Sequence, residues 1–182
     1  MFHQLGLAAL LATAAALPAA AQDRVSIGTG GTGGVFYTIG AGMADLLGRE
    51  LEGATANAEV TGASVENIRR VSAGEMTMGF SSASTLYEAK NGEGAFDGEA
   101  QNVAAIAYLY PAVLQIAATD ESGATSVADL ADLDVSIGPP GSNSSIFAER
   151  LLEAQDAFNM GNVSFLSYGE ATGAIKNGQI DG

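Results

Sequence analysis

Cysteine is absent from this chain of 182 residues, and its single histidine is His3, close to the N-terminus. Beyond residue 21 the chain therefore offers neither a thiol nor an imidazole. That excludes Ser-His-Asp and Cys-His nucleophilic machinery, and zinc or iron held by His or Cys. An enzyme built from this chain would have to work with carboxylates, Lys, Tyr or a cofactor. A passive binder needs none of the missing groups. Basic residues are scarce too: 7 Lys and Arg face 21 Asp and Glu, for a formal charge of −14. Nucleic acid is a poor partner for such a surface, and no basic cluster beyond Arg69-Arg70 offsets it.

Charge is missing altogether from residues 1–21, which hold no Asp, Glu, Lys or Arg. Within them, 5–17 is an apolar run rich in Ala and Leu, followed by Pro18 and Ala19-Ala20-Ala21. This reads as a secretory signal with a small-x-small cleavage site, cut after Ala21, which places the protein outside the cytoplasm. The run is short for a bilayer span, which argues against an uncleaved anchor. No cysteine follows the site, so a lipidated N-terminus is excluded. The remaining length suits one ordinary core or one and a half small domains.

Glycine is what the chain has in abundance. Five of the seven residues from Gly28 to Gly34 are glycines, between the β-like Val25-Ser26-Ile27 and a helical pattern from Val35-Phe36-Tyr37. A turn of this kind exposes backbone N–H groups at a helix N-terminus, where donors lack intrahelical partners and the dipole is positive. That is an anion-binding arrangement.

Strand and helix patterns alternate along the rest of the chain. Strands are expected at 24–29, 58–61, 76–81, 134–138 and 163–166, and helices at 36–51, 84–90, 146–158 and 169–176. Another helix should start at Ser64 as N-cap, with Asn67 three residues on and Val65, Ile68 and Val71 on its apolar face. Residues 91–102 read as a loop, and Ser126 as the cap of a short helix through Leu133. The apolar run 103–118 is broken by Pro111 and reads as two strands meeting at a proline joint. The alternation predicts an α/β fold with open, mostly parallel sheets. Strand, glycine-rich turn and helix occur twice, at 25–37 and 135–147, each placing a helix N-terminus at the carboxyl end of a strand, where open α/β sheets bind ligands. Two such turns on either side of the proline joint predict two lobes facing across a cleft: 22–110 for the first and 111–182 for the second. Gln179-Ile180-Asp181-Gly182 reads as the start of a further strand, so the chain is expected to be a C-terminally truncated piece of a longer protein.

The stretch Gly28-x-Gly30-x-x-Gly33 formally matches a dinucleotide fingerprint. Such a site needs an acid at the end of the next strand, and Val60-Thr61-Gly62 supplies none, while Glu59 is expected within the strand and pointing away from that edge. A Walker-type G-x-x-x-x-G-K-[ST] is absent. Ser142-Asn143-Ser144-Ser145 exceeds what a helix cap needs, since Ser144 alone would serve, and it reads as a ligand cluster. Ser81-Ser82-Ala83-Ser84 after the third strand is a weaker candidate. Tyr108 and Tyr110 are spaced for one strand face and could line a cleft. Glu66, Glu75 and Glu88 fall on different elements and form no acid/base pair.

Several of these motifs, in this order, resemble the TAXI-family solute-binding proteins of TRAP transporters. They are Val25–Tyr37, Val60-Thr61-Gly62-Ala63-Ser64-Val65-Glu66-Asn67, Leu109-Tyr110-Pro111, Ser126-Val127-Ala128-Asp129-Leu130, Pro140-Gly141-Ser142 and Gly178-Gln179-Ile180-Asp181. The resemblance implies a two-lobed periplasmic-binding-protein-like fold, a monomer without catalytic residues, metal or cofactor. It would capture a small organic acid or acidic amino acid, a dicarboxylate or glutamate-like anion, for a TRAP membrane permease subunit. The pocket it implies falls on Thr29, Gly30, Gly31, Thr32, Gly33, Gly34, Val35 and Tyr37, on Ser81, Ser82 and Ser84, on Tyr108 and Tyr110, and on Gly141, Ser142, Asn143 and Ser144. One departure is Ser82-Ala83-Ser84, where relatives often carry Gln-Ser-Asp-like residues. The expected mechanism is a clamp: amides of Gly30 to Gly34 and the Thr32 hydroxyl take the carboxylate, and Ser142, Asn143 and Ser144 close from the other lobe. The competing class is an exported, cofactor-dependent α/β enzyme that uses the glycine-rich turns for an anionic group.

Overall fold

The structure, a computed structural model, describes residues 23–182. The signal-like residues 1–21 lie outside it. The first sheet has three parallel strands in the order β2-β1-β3. Strand β1 (Asp23–Gly28) pairs along its whole length with β2 (Ala54–Glu59), from Asp23 opposite Ala54 to Gly28 opposite Glu59. Strand β3 (Met78–Gly79) joins its other edge, Ile27 opposite Met78. Helix α1 (Val35–Glu50) crosses from β1 to β2, and α2 (Ser64–Ser72) from β2 to β3. Helix α3 (Ala83–Asn91) follows.

Parallel strands need covered faces, and the apolar pattern supplies the covers. On one face α1 lays Phe36, Ile39, Met43, Ala44 and Leu47 against Ile27, Val25 and Phe80. The second cluster joins Val65 and Ile68 of α2 to Ala89 of α3 and to Phe96. Ile146, from a later helix, packs against this second cluster.

The other sheet is smaller. Strand β4 (Val135–Ser136) pairs in parallel with β5 (Val163–Ser164). Helix α4 (Asn143–Glu153) connects them, and α5 (Tyr168–Lys176) follows β5. Leu130, Val135, Ile137, Leu152 and Ala157 form the core of this lobe. The last residues continue the sheet's bonding beside β4: Asp181 donates to the Asp134 carbonyl at 2.6 Å and Ser136 to that of Gly182 at 2.7 Å.

Three local expectations need correction. Strand β2 begins at Ala54, four residues before the expected start, because pairing with β1 outweighs the weak strand propensity of Ala-Thr-Ala-Asn. Ser64 is the first residue of α2 rather than its cap. The cap is Ala63, at φ 73° and ψ −137°, a positive-φ conformation uncommon outside glycine. Residues 103–118, expected as two strands, have no ladder partner among the described residues. Ile106, Tyr108 and Val113 are exposed there, whereas Tyr110 is half-buried.

Candidate functional site

Every helix that follows a strand in this fold starts at a strand's carboxyl end, and those starts converge. Strand β1 delivers the chain to Thr29, which is fully buried and turned into the sheet. Its hydroxyl donates to the Glu59 carbonyl at 2.6 Å and its amide to the same oxygen at 3.0 Å. Gly30 to Gly34 then form the turn, closed by the Gly34 amide donating to the Gly31 carbonyl at 2.9 Å. Gly34 caps α1 without a side chain, and the first turn of α1 carries no acid. The amides of Val35, Phe36 and Tyr37 meet no acceptor among the described residues. Sixteen aligned peptide units stand behind those donors.

The starts of α3, α4 and α5 are capped by serine, whereas α2 has Ala63. Ser82 accepts from the Thr85 amide at 3.2 Å, Ser142 from Ser145 at 3.2 Å, and Ser167 from Glu170 at 3.4 Å. The expectation that Ser144 would cap α4 is therefore corrected. Ser142 does so, because its extended backbone (ψ 156°) aims its hydroxyl back at the helix. This leaves Ser144 free to accept the Tyr168 hydroxyl at 3.1 Å. Ser84 donates to Asn143 Oδ1 at 3.2 Å, linking α3 to α4 across the lobes. The Val65 amide adds a bond to the Gly141 carbonyl, and Arg150 meets Glu88 at 2.6 Å.

Tyr168 and Ser167 were not among the residues singled out from the sequence. A Cβ built on Gly34 would lie 3.5 Å from the Tyr168 ring, and one on Gly31 3.8 Å from Ser167 Cβ. The start of α5 thus sits directly on the glycine loop. The capping box Ser167-x-x-Glu170 was legible as a helix start, and it is the signal that could have found them.

The remaining candidates divide. Gly30, Gly31, Gly33, Gly34, Ser82, Ser84, Gly141, Ser142, Asn143 and Ser144 lie on the converging turns. Thr32 and Val35 are exposed, and Tyr37 is half-buried. Ser81 turns its hydroxyl to the Ser82 carbonyl at 3.0 Å. Tyr110 lies 6.5 Å, ring to ring, from Phe36 of the glycine-loop helix. Burial, and secondarily the neighbouring Tyr168, holds its phenol above the ordinary value, so it stays a neutral hydroxyl near pH 7. Tyr108 is 77% exposed and is not brought to the turns.

One argument from the sequence changes. Glu59 is the last residue of β2, at the carboxyl end where a dinucleotide site would want its acid, because the strand stops before Val60. It is engaged by Arg70 at 2.7 Å, so its carboxylate serves an ion pair. No cluster of metal-ligating side chains occurs among the described residues. Beneath Ser144 and Tyr168 lies a cavity of about 210 Å³, walled by apolar residues such as Ile137, Leu152 and Ile175.

The capping carboxylates predict an acid sensitivity. Hydrogen bonds from Ser167 hold Glu170 below its ordinary value of 4.5, and those from Thr125 and Ser126 hold Asp129 below 3.8. Each lowered value stabilises the fold above the unfolded-state pKa, and that stabilisation is lost as pH falls through the folded-state value. Melting temperature should therefore drop as the pH is taken below 4.5, and the drop should be shallower for Glu170→Gln in thermal melts.

Two parallel sheets with helix N-termini gathered at their carboxyl edges define a periplasmic-binding-protein-like α/β fold. Residues 27–182 match the model of the NMT1-like family, and the chain belongs to that family. Among solved structures it is similar to the alkanesulfonate-binding protein SsuA from Xanthomonas axonopodis pv. citri bound to MOPS. The TM-score is 0.55 and the identity 18%, over 87% of this chain and 52% of that one. The chain thus spans about half the length of that protein, and at this identity the likeness is one of fold.

Proposed function

We propose that the protein is an extracytoplasmic solute receptor that takes a small organic acid or acidic amino acid into the cleft where the helix starts converge. One observation carries this reading: the uncapped N-terminus of α1, with three amides that meet no acceptor among the described residues, opposite the hydroxyl-rich starts of α4 and α5. A ligand carboxylate there would be held by amides of Gly30, Gly31, Gly33 and Val35 to Tyr37, by the Thr32 hydroxyl, and from the other side by Ser142, Asn143 and Ser144, while the Gly34 amide, expected among the donors, is spent on the Gly31 carbonyl. The fold shared with an alkanesulfonate-binding protein supports an anionic ligand of this general kind, since carboxylate and sulfonate present similar oxygens. An enzyme is less well supported: Lys90 donates to the Val103 carbonyl, Glu88 serves Arg150, and Glu66 accepts from the Gly62 amide.

The lobes divide near residue 110, ahead of Pro111, and the protein acts as a periplasmic monomer after cleavage at Ala21. Delivery to a TRAP-type permease rests on the ordered motifs quoted from the sequence. Thermal shift and calorimetry with L-glutamate, succinate, 2-oxoglutarate and ethanesulfonate test the receptor reading. A melting temperature raised by one of the carboxylates, with that compound recovered unchanged, is the expected result. A response to ethanesulfonate alone would move the ligand class to sulfonates. Conversion of a compound would replace receptor by enzyme, and no response to any of them would remove the assignment.

A further inference from the structure

The interior of α2 holds a polar side chain where an apolar one would be cheaper. Asn67 is 1% exposed, between the buried Val65 and Ile68. Asparagine is a poor helix former, and burying an amide costs free energy unless every bond is met. Here they are met by three different segments. Nδ2 donates to the Thr29 carbonyl at 2.8 Å and to the Phe80 carbonyl at 2.9 Å, while Oδ1 accepts the Thr61 hydroxyl at 2.7 Å. Two carbonyls and one hydroxyl also fix which end of the amide carries the nitrogen. Thr61 in turn accepts the amide of Ala63, the strained cap of α2.

The surrounding chain gives way to this side chain. A Cβ on Gly28 would overlap Asn67 Oδ1, and one on Gly79 would fall 2.8 Å from Asn67 Cβ. Glycine inside a strand weakens it, and here it marks a close approach. Two strand glycines and a buried amide are three local costs that an all-apolar design would avoid. Departures of this kind concentrate where function sets the geometry.

Thr29 is the root of the glycine loop, Phe80 the root of the Ser82 turn, and Thr61 belongs to the turn that starts α2. We propose that Asn67 is the positioning residue of the cleft, a single side chain that sets the glycine loop and the serine turn at a fixed separation. It touches no ligand. The inference rests on the receptor reading for its purpose, but its geometry can be tested independently.

Native-state hydrogen exchange on the full chain provides that test. The amides of Thr29 and Phe80, bonded to Glu59 and Gly28, and those of Gly34 and Ser82 on the two turns, should open together with one denaturant dependence. Separate dependences would overturn the proposal. Asn67→Asp keeps the shape but turns an oxygen towards two carbonyls, and it should lower protection at Gly34 and Ser82 together by about tenfold or more. Ile68→Val, a volume loss on the same helix, should leave the ratio between those two amides and the rest of the lobe unchanged. Thr61→Val removes only the hydroxyl on Oδ1 and should loosen the same pair by less, which keeps the test decisive if Asn67→Asp fails to fold. Loosening of one turn without the other, in either variant, would refute the coupling. In calorimetry with L-glutamate, Asn67→Asp should weaken binding about tenfold, while Ile68→Val stays within about twofold. If the parent protein binds none of the four compounds tested above, the receptor reading falls, and exchange alone decides the role of Asn67.

Discussion

A Gly31→Asp variant is expected to fold as the parent does and, on the proposed receptor reading, to lose affinity for the anionic ligand by about a hundredfold or more. Gly31 does not occupy the left-handed region, and a Cβ there would meet nothing closer than Ser167 Cβ at 3.8 Å. The side chain therefore has room. Its carboxylate would stand before the free amides of Val35, Phe36 and Tyr37, where the dipole of α1 favours negative charge. Melting temperature should hold or rise slightly. Binding should fail, because a second anion must then approach a like charge at close range, a juxtaposition that costs several kcal/mol. Each ~1.4 kcal/mol is tenfold in affinity, so a hundredfold loss asks for only about 3 kcal/mol. Gly31→Asn, of the same size without the charge, should retain most of the affinity by calorimetry. Unchanged binding by Gly31→Asp would mean that the anion sits elsewhere.

The second large effect falls on stability. Gly28→Ala should destabilise the first lobe by about 3 kcal/mol or more, the sum of overpacking and of a disturbed buried amide. The added methyl would overlap the Met76 thioether and Asn67 Oδ1. Met76 has rotamers to retreat into, but Asn67 is pinned by three hydrogen bonds and has none. In a domain of this length, such a cost lowers the melting temperature by roughly 10 °C. Gly42→Ala, in the middle of α1 with nothing within 4 Å, should instead stabilise by about 0.5–1 kcal/mol. Denaturant titration of the two variants separates the cases. A Gly28→Ala protein as stable as its parent would contradict the packing around Asn67.

The α/β alternation could be read from the sequence because it rests on periodicity. Ile39, Met43 and Leu47 fall one helical turn apart, and the strand-turn-helix units at 25–37 and 135–147 announce themselves through glycine and serine. Both glycine- and serine-rich turns lie where that pattern placed them, at the carboxyl ends of β1 and β4. What stayed hidden depends on contacts between distant segments. The start of β2 follows from its pairing partner rather than from its own residues. Asn67 reads as a capping residue in one dimension, because its three partners are 6, 13 and 38 positions away. Tyr168 carries no motif of its own, and only the packing of α5 on the glycine loop draws it to the cleft. The 103–118 run shows the opposite failure. Its β-like composition is plain, but a strand is defined by a partner, and none is present among the described residues.

Ile146 has a consequence for how a cleft of this kind moves. It belongs to α4 of the second lobe yet packs into the α2–α3 core of the first, with Arg150 and Glu88 paired alongside. Separating the lobes would expose this half-buried side chain, at a cost below the roughly 1.5–3 kcal/mol of a fully buried one. If the protein is the receptor proposed above, a cost of about 1.4 kcal/mol would already hold an open form to roughly a tenth of the closed one before any solute arrives. A solute would then wait for a rare breathing event to enter, and the same event would time its departure. Residence in the cleft would be governed by a greasy latch on its flank as much as by the amides that hold the charge.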